Sequence, residues 1–364
     1  MASIMDYLIW RGDLTFAQSP FNEADNLILS CLSYTALDDI VPEHQGSVTV
    51  AEASAAFFDR HSEQEINNYR PFIRSAPLLL KAMAKTRRFG RAELMHYVNK
   101  ISSKRELQFS ALEIVLDDGT SYIAYRGTDD TIVGWREDFN MSIGSVPSEH
   151  IAAEYLSHTG SINRHMLRVG GHSKGGHLAL YAAAKCNKDV QRRILRIYNN
   201  DGPGFIQNLS KDEDFKKIQP RIQRFIPEFS IVGMLMNHNT VPIIVQSSDS
   251  GIYQHNAFHW QLEGTHFLRG SSLNPSAKGF SESMKTWLEQ MSLSERQVFI
   301  DDMFSVLDAS GAETVSELQS QGIRNMPAML RQLNLLHPET KEKTELLLKL
   351  LINQWTESRR TLLP

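Results

Sequence analysis

The sequence predicts an α/β fold: a mostly parallel central sheet with helical segments added at its N- and C-terminal ends. Three observations predict it. Short apolar, β-branched runs at 167–169, 194–198, 222–226 and 241–245 alternate with helical stretches, the pattern of parallel strands joined by crossover helices. An alternating run at 110–116 meets Asp117-Asp118-Gly119 and a second strand-like run at 121–125, which reads as a β-hairpin. Finally, helix-forming composition dominates before residue 105 and after Asn274.

Taken in order, 22–37 carries Leu27, Ile28, Cys31, Leu32 and Thr35 at spacings of three and four, one face of a helix. Further helices are expected at 50–59, 75–86 and, briefly, 91–98. After the sheet, helices are expected at 277–290, 294–307, 314–321, 326–335 and 338–355. The division expected is a helical segment at 1–105 that packs on or caps the core, a core at 106–275, and a helical extension at 276–364. Leu at helical spacing in 330–336 and 346–355 suits packing on the main domain or a homodimer contact through the terminal helices.

Composition narrows the function classes. Of 364 residues 41% are hydrophobic and 22% charged, close to globular averages, which excludes a mainly disordered or fibrous chain. A formal charge of −4 gives no whole-chain attraction to nucleic acid, and none is expected as partner. Cys31 and Cys186 are too few for a disulfide framework and fit a reducing compartment. Asp6 stands where an export signal needs a basic flank, and no run of about 18 apolar residues occurs. A cytoplasmic protein without a transmembrane segment is therefore expected. No H-E-x-x-H or comparable spacing indicates a metal, and no cofactor is implied.

Gly171-x-Ser173-x-Gly175 follows a short strand and opens a strong helix. That is the context a nucleophile elbow requires, with small residues where the chain doubles back and helix N–H groups aimed at a developing oxyanion. The segment Tyr125-Arg126-Gly127-Thr128, with Trp135 and Asp138-Phe139 beyond it, resembles the corresponding segment of class 3 (fungal-type) lipases within the α/β-hydrolases. Together with Gly171-His-Ser-Lys-Gly-Gly-His and Asp201-Gly-Pro-Gly-Phe, it is more similar still to the Mbeg-like bacterial branch of that superfamily. The resemblance spans roughly 1–270, but for class 3 lipases proper only the elbow and oxyanion segments. It implies an α/β-hydrolase fold and a serine carboxylic-ester hydrolase acting on small-molecule or lipid esters through an acyl-enzyme on Ser173.

The chain order Ser, acid, His sends the search for partners beyond 173. His255 lies just after the last strand and resembles, with Trp260, the closing "H … W" of class 3 lipases. His238, His259 and His266 are the other candidates. For the acid, those lipases carry an Asp where this chain has Ser230. Asp201, at the end of the strand after the elbow strand, resembles the acid of pancreatic-type lipases and sits where such sites form. Glu228 is the alternative and Asp249 a weaker third. Expected oxyanion donors are the Lys174 N–H, from elbow geometry, and the Thr128 segment, from the resemblance. The Lys174 side chain is expected to point to solvent. Trp135, Phe139, Met141 and Met234-Leu235-Met236 read as core or as the wall of an acyl site. Two other functions stay open: a hydrolase fold retired to binding, given the absent acid at 230, and an acyltransferase using the same serine.

Overall fold

A computed structural model describes residues 2–67, 71–129, 131–207 and 211–336, with 338, 340–342, 344 and 345 beyond. Eight strands form one sheet in chain order: β1 (Val48–Thr49), β2 (Glu93–Ser102), β3 (Leu107–Val115), β4 (Thr120–Tyr125), β5 (Met166–His172), β6 (Ile194–Asn200), β7 (Ile222–Pro227) and β8 (Ile243–Val245). Pairing is antiparallel from β1 to β4, including the β3–β4 hairpin, and parallel from β4 to β8. Helices Pro147–Ile162 and Lys174–Lys185 lie within the parallel half. With the sharp turn from β5 into the second of them, the fold is α/β-hydrolase-like.

Alternation along the strands builds two cores. In β4, Tyr122 and Ala124 join one apolar cluster while Ile123 and Tyr125 join the other, as a period of two requires. The first cluster takes Leu27, Ile28 and Cys31 from the helix Glu23–Leu32; the second takes Leu178, Ala179 and Ala182 from the elbow helix. The N-terminal segment is tied further by a buried ion pair. Arg88 bonds Asp25 through Nε at 2.7 Å and Nη2 at 2.5 Å, and its Nη1 reaches the carbonyls of Leu14 and Ser19. With both charges fully buried, removing either partner would cost about 3–5 kcal/mol.

Two expectations are corrected. The short helix at 91–98 is instead β2, which lies in the sheet although it precedes residue 105. Its register shifts between Met95 and Val98, where His96 adopts φ 53°, and this bulge hides the alternation that marks a strand. The helices at 314–321 and 326–335 are one, Val315–Leu335, which runs through Pro327. The helix expected at 338–355 falls largely outside the described residues.

Helices Leu293–Asp308 and Val315–Leu335 build a third cluster on helix Ile132–Asn140, with Phe299, Met303 and Phe304 against Ile132, Trp135 and Phe139. Trp135 and Phe139 thus anchor the C-terminal helices, and Met141 is buried. Among the described residues no helix is long and apolar enough to cross a membrane, and no group of three or more His, Cys, Asp or Glu is placed to hold a metal.

Candidate active site

The parallel strands bring their carboxyl ends together, and the chemistry-bearing side chains follow from them. β5 runs to His172, and Ser173 makes the turn with φ 58° and ψ −133° before the helix starts at Lys174. This conformation costs of order 1–3 kcal/mol in a non-glycine residue. The positions two residues either side cannot carry side chains: a Cβ on Gly171 would lie 2.5 Å from the Gly175 carbonyl oxygen, and one on Gly175 2.1 Å from that of Tyr125. The turn lifts Ser173 into partial exposure while its N–H is fixed to the Asn200 carbonyl at 2.9 Å.

Ser173 Oγ lies 3.0 Å from His255 Nε2, and His255 Nδ1 lies 2.6 Å from Asp201 Oδ2. A carboxylate on Nδ1 makes that nitrogen the protonated one, which leaves Nε2 as acceptor for the serine proton. Asp201 has no solvent exposure; its other oxygen accepts from Ser230 Oγ at 2.5 Å. His255 is held from behind. Its carbonyl lies 2.8 Å from His172 Nε2, its ring meets the His172 ring at 4.6 Å, and Trp260 Nε1 donates to Gln254 one residue earlier at 2.8 Å. Burial pushes His172 well below the usual histidine range, so it stays neutral beside His255, with its Nδ1 3.0 Å from Tyr34 OH.

The loop after β4 passes beside the serine: a Cβ on Gly127 would sit 3.1 Å from Ser173 Cβ and 2.5 Å from the His172 carbonyl oxygen. Thr128 is therefore next to the elbow, its Oγ1 donating to Asp138. The N–H of Lys174, the first helical residue and next in sequence to Ser173, has no intrahelical acceptor.

A family model for Mbeg1-like proteins matches residues 83–305, more than half of the chain, and takes in Ser173, Asp201 and His255. The chain belongs to the Mbeg1-like family. Two solved structures are similar. One is the M37 lipase, at 21% identity over 52% of this chain and 71% of that one with a TM-score of 0.31. The other is the Rhizomucor miehei lipase in its propeptide complex, at 15% identity over 73% and 94% with a TM-score of 0.33. No curated protein matches. At these TM-scores the family match and the site geometry carry the functional reading.

In this Mbeg1-like chain the remaining sequence-selected residues fall elsewhere. Glu228 makes no hydrogen bond to His255; its side chain lies against Gly270, where a Cβ would sit 2.8 Å from Oε1. Asp249 pairs with His259 at 2.6 Å, and His266 lies 3.6 Å from Glu23. His238 is held neutral by burial. The Lys174 side chain does not point to solvent. It is 1% exposed, and Nζ donates to Gln108 and Glu137. Sequence patterning gives no sign of this, because the acceptors lie 66 and 37 residues away. Tyr34 and His172 are not among the sequence candidates, though His172 carries a local signal, adjacency to the serine; Ser230 stands out in the sequence only as the residue in place of the lipase acid. A cavity of about 540 Å³, lined by Arg168, Arg196, Tyr198 and Gln223 near the starts of β5–β7, contains none of the site residues.

Proposed function

We propose that the protein is a serine hydrolase of carboxylic esters, lipase- or esterase-like, working through an acyl-enzyme on Ser173. The observation that carries this reading is the continuous relay Ser173 Oγ, His255 Nε2, His255 Nδ1, Asp201 Oδ2, with contacts of 3.0 and 2.6 Å. As Oγ attacks the ester carbonyl, its proton passes to His255 Nε2, and Asp201 stabilises the imidazolium. Negative charge on the former carbonyl oxygen is met by the backbone N–H groups of Lys174 and Thr128, the Thr128 hydroxyl being held by Asp138. The tetrahedral intermediate then expels the alkoxide, which takes the proton from His255 and leaves as alcohol. Water, deprotonated by His255, attacks the acyl-enzyme, and collapse returns Ser173 and releases the acid. The site needs no cofactor for these steps.

A fluorophosphonate probe tests this directly. Purified wild-type protein is expected to carry the label on Ser173, with none in Ser173→Ala. Folded wild-type protein that stays unlabelled would overturn the reading.

A further inference from the structure

Lys174 occupies a position that disfavours a lysine twice. It opens the helix Lys174–Lys185, whose N-terminal end carries partial positive charge, and its ammonium is buried. The offset is complete: all three N–H donors are used, on the Gln108 carbonyl at 2.8 Å, on Gln108 Oε1 at 2.5 Å and on Glu137 Oε2 at 3.0 Å, with Asp138 Oδ1 at 3.7 Å. An apolar side chain would fill such a space without a buried charge to offset.

Those acceptors converge on the loop beside Ser173. Gln108 Nε2 reaches the Gly127 carbonyl and Asp129 Oδ2, each at 3.5 Å. Asp138, next to Glu137 on helix Ile132–Asn140, accepts from Thr128 Oγ1. Glu137 is fixed in turn by the N–H groups of Gln108 and Ser148, both at 3.0 Å. The residue whose backbone N–H is one oxyanion donor thus grips, through its own side chain, both supports of the other.

We infer that Lys174 is a positioning residue: its buried ammonium sets the Thr128 donor at a fixed place relative to the Lys174 N–H, so that the two donors act as one unit. This rests on the serine-hydrolase reading above. The group in the network that titrates is Asp138. It faces Lys174 from the elbow helix, Thr128 and Asp129 from the loop and Tyr34 from the N-terminal segment, with Glu137 beside it on its own helix. Burial pushes it up to about 6 while Lys174 and the Thr128 hydroxyl pull it down; its Oδ1 is buried with no hydrogen-bond donor among the described residues. The ionised carboxylate is the stronger, charge-assisted acceptor for the Thr128 hydroxyl, so taking away the ammonium moves the weakening of that bond to higher pH.

The experiment is steady-state hydrolysis of p-nitrophenyl butyrate by the full chain. Lys174→Met is expected to lower kcat about 100-fold with KM changed less than about twofold, since an oxyanion interaction is made only in the transition state. The acid limb of kcat should move to higher pH, and Asp138→Asn in the same chain should abolish that move. Thr128→Ala should cost tenfold or more in the wild type and almost nothing on top of Lys174→Met, because coupled residues are not additive. If Lys174→Met does not fold, Gln108→Leu, which leaves Glu137 paired to the ammonium, is read by the same kcat, KM and Thr128→Ala measurements. An unchanged kcat in the folded variant, or losses that simply multiply, overturns the inference. Wild-type protein that neither hydrolyses the ester nor takes the fluorophosphonate label refutes the parent reading and this one with it; labelled wild type with an equally fast variant refutes this one alone.

Discussion

Asp201 divides its carboxylate between two tasks. Oδ2 faces His255, and Oδ1 takes the hydroxyl of Ser230, the residue that stands where class 3 lipases carry their acid. On the proposed reading the acid stands one strand over from its place in class 3 lipases, at the end of β6 and not of β7, with Ser230 at that other position donating to it. Asp201→Asn should lower kcat on the order of 10³–10⁴-fold, since an amide would favour the wrong imidazole tautomer. Glu228→Gln should leave kcat within about twofold. A large loss in Glu228→Gln and a small one in Asp201→Asn, measured on the same ester, would reverse the assignment. Ser173 and His255 are legible in the sequence because a motif and a chain order mark them. The destination of the Lys174 side chain is not, because it depends on Gln108 and Glu137, which only the folded sheet brings near.

The elbow is set by backbone crowding between β4, β5 and the helix that follows. A methyl on Gly175 would meet the Tyr125 carbonyl oxygen at 2.1 Å, and main chain inside a sheet cannot step aside as a side-chain tip can. Gly175→Ala should therefore destabilise the chain by roughly 1–3 kcal/mol or more, through overpacking. Gly279→Ala is the matched control. It lies exposed in helix Pro275–Gln290 with nothing within 4 Å of the added carbon, and should stabilise by about 0.5–1 kcal/mol through helix propensity. Urea unfolding of both variants checks the contrast, and equal midpoints would refute it. The same crowding makes this element readable from sequence: glycines two residues either side of a serine, between a strand and a helix, have few other uses. β2 was unreadable for the converse reason. Its bulge at His96 breaks the period of two, and its partner β3 supplies the hydrogen bonds that local propensity does not reveal.

Across the whole molecule, the third apolar cluster ties the C-terminal helices to the site through one short element. Helix Ile132–Asn140 presents Ile132, Trp135 and Phe139 to Phe299, Met303 and Phe304, while Glu137 and Asp138 serve Lys174 and Thr128. The attachment is reinforced by polar contacts: Ile132 N–H donates to the Glu313 carbonyl at 3.0 Å, Arg136 pairs with Asp301 at 3.3 Å, and Arg296 donates to the Ser142 carbonyl at 2.7 Å. Deleting 291–364 strips that cover and leaves three apolar side chains facing water, a reason for the short helix to loosen. The two large clusters on the faces of the sheet include nothing from the deleted segment, so the sheet should persist. The expected outcome is a truncated chain with sheet signal retained in far-UV circular dichroism and with the main unfolding transition preserved. Its kcat should fall by an order of magnitude or more, because the Thr128 support moves with helix 132–140. Fluorophosphonate labelling of Ser173 should slow in parallel. A truncated chain that hydrolyses ester as fast as the full one would break the link between the C-terminal helices and the oxyanion loop, and would leave those helices as a separate unit that merely rests on the hydrolase-like body.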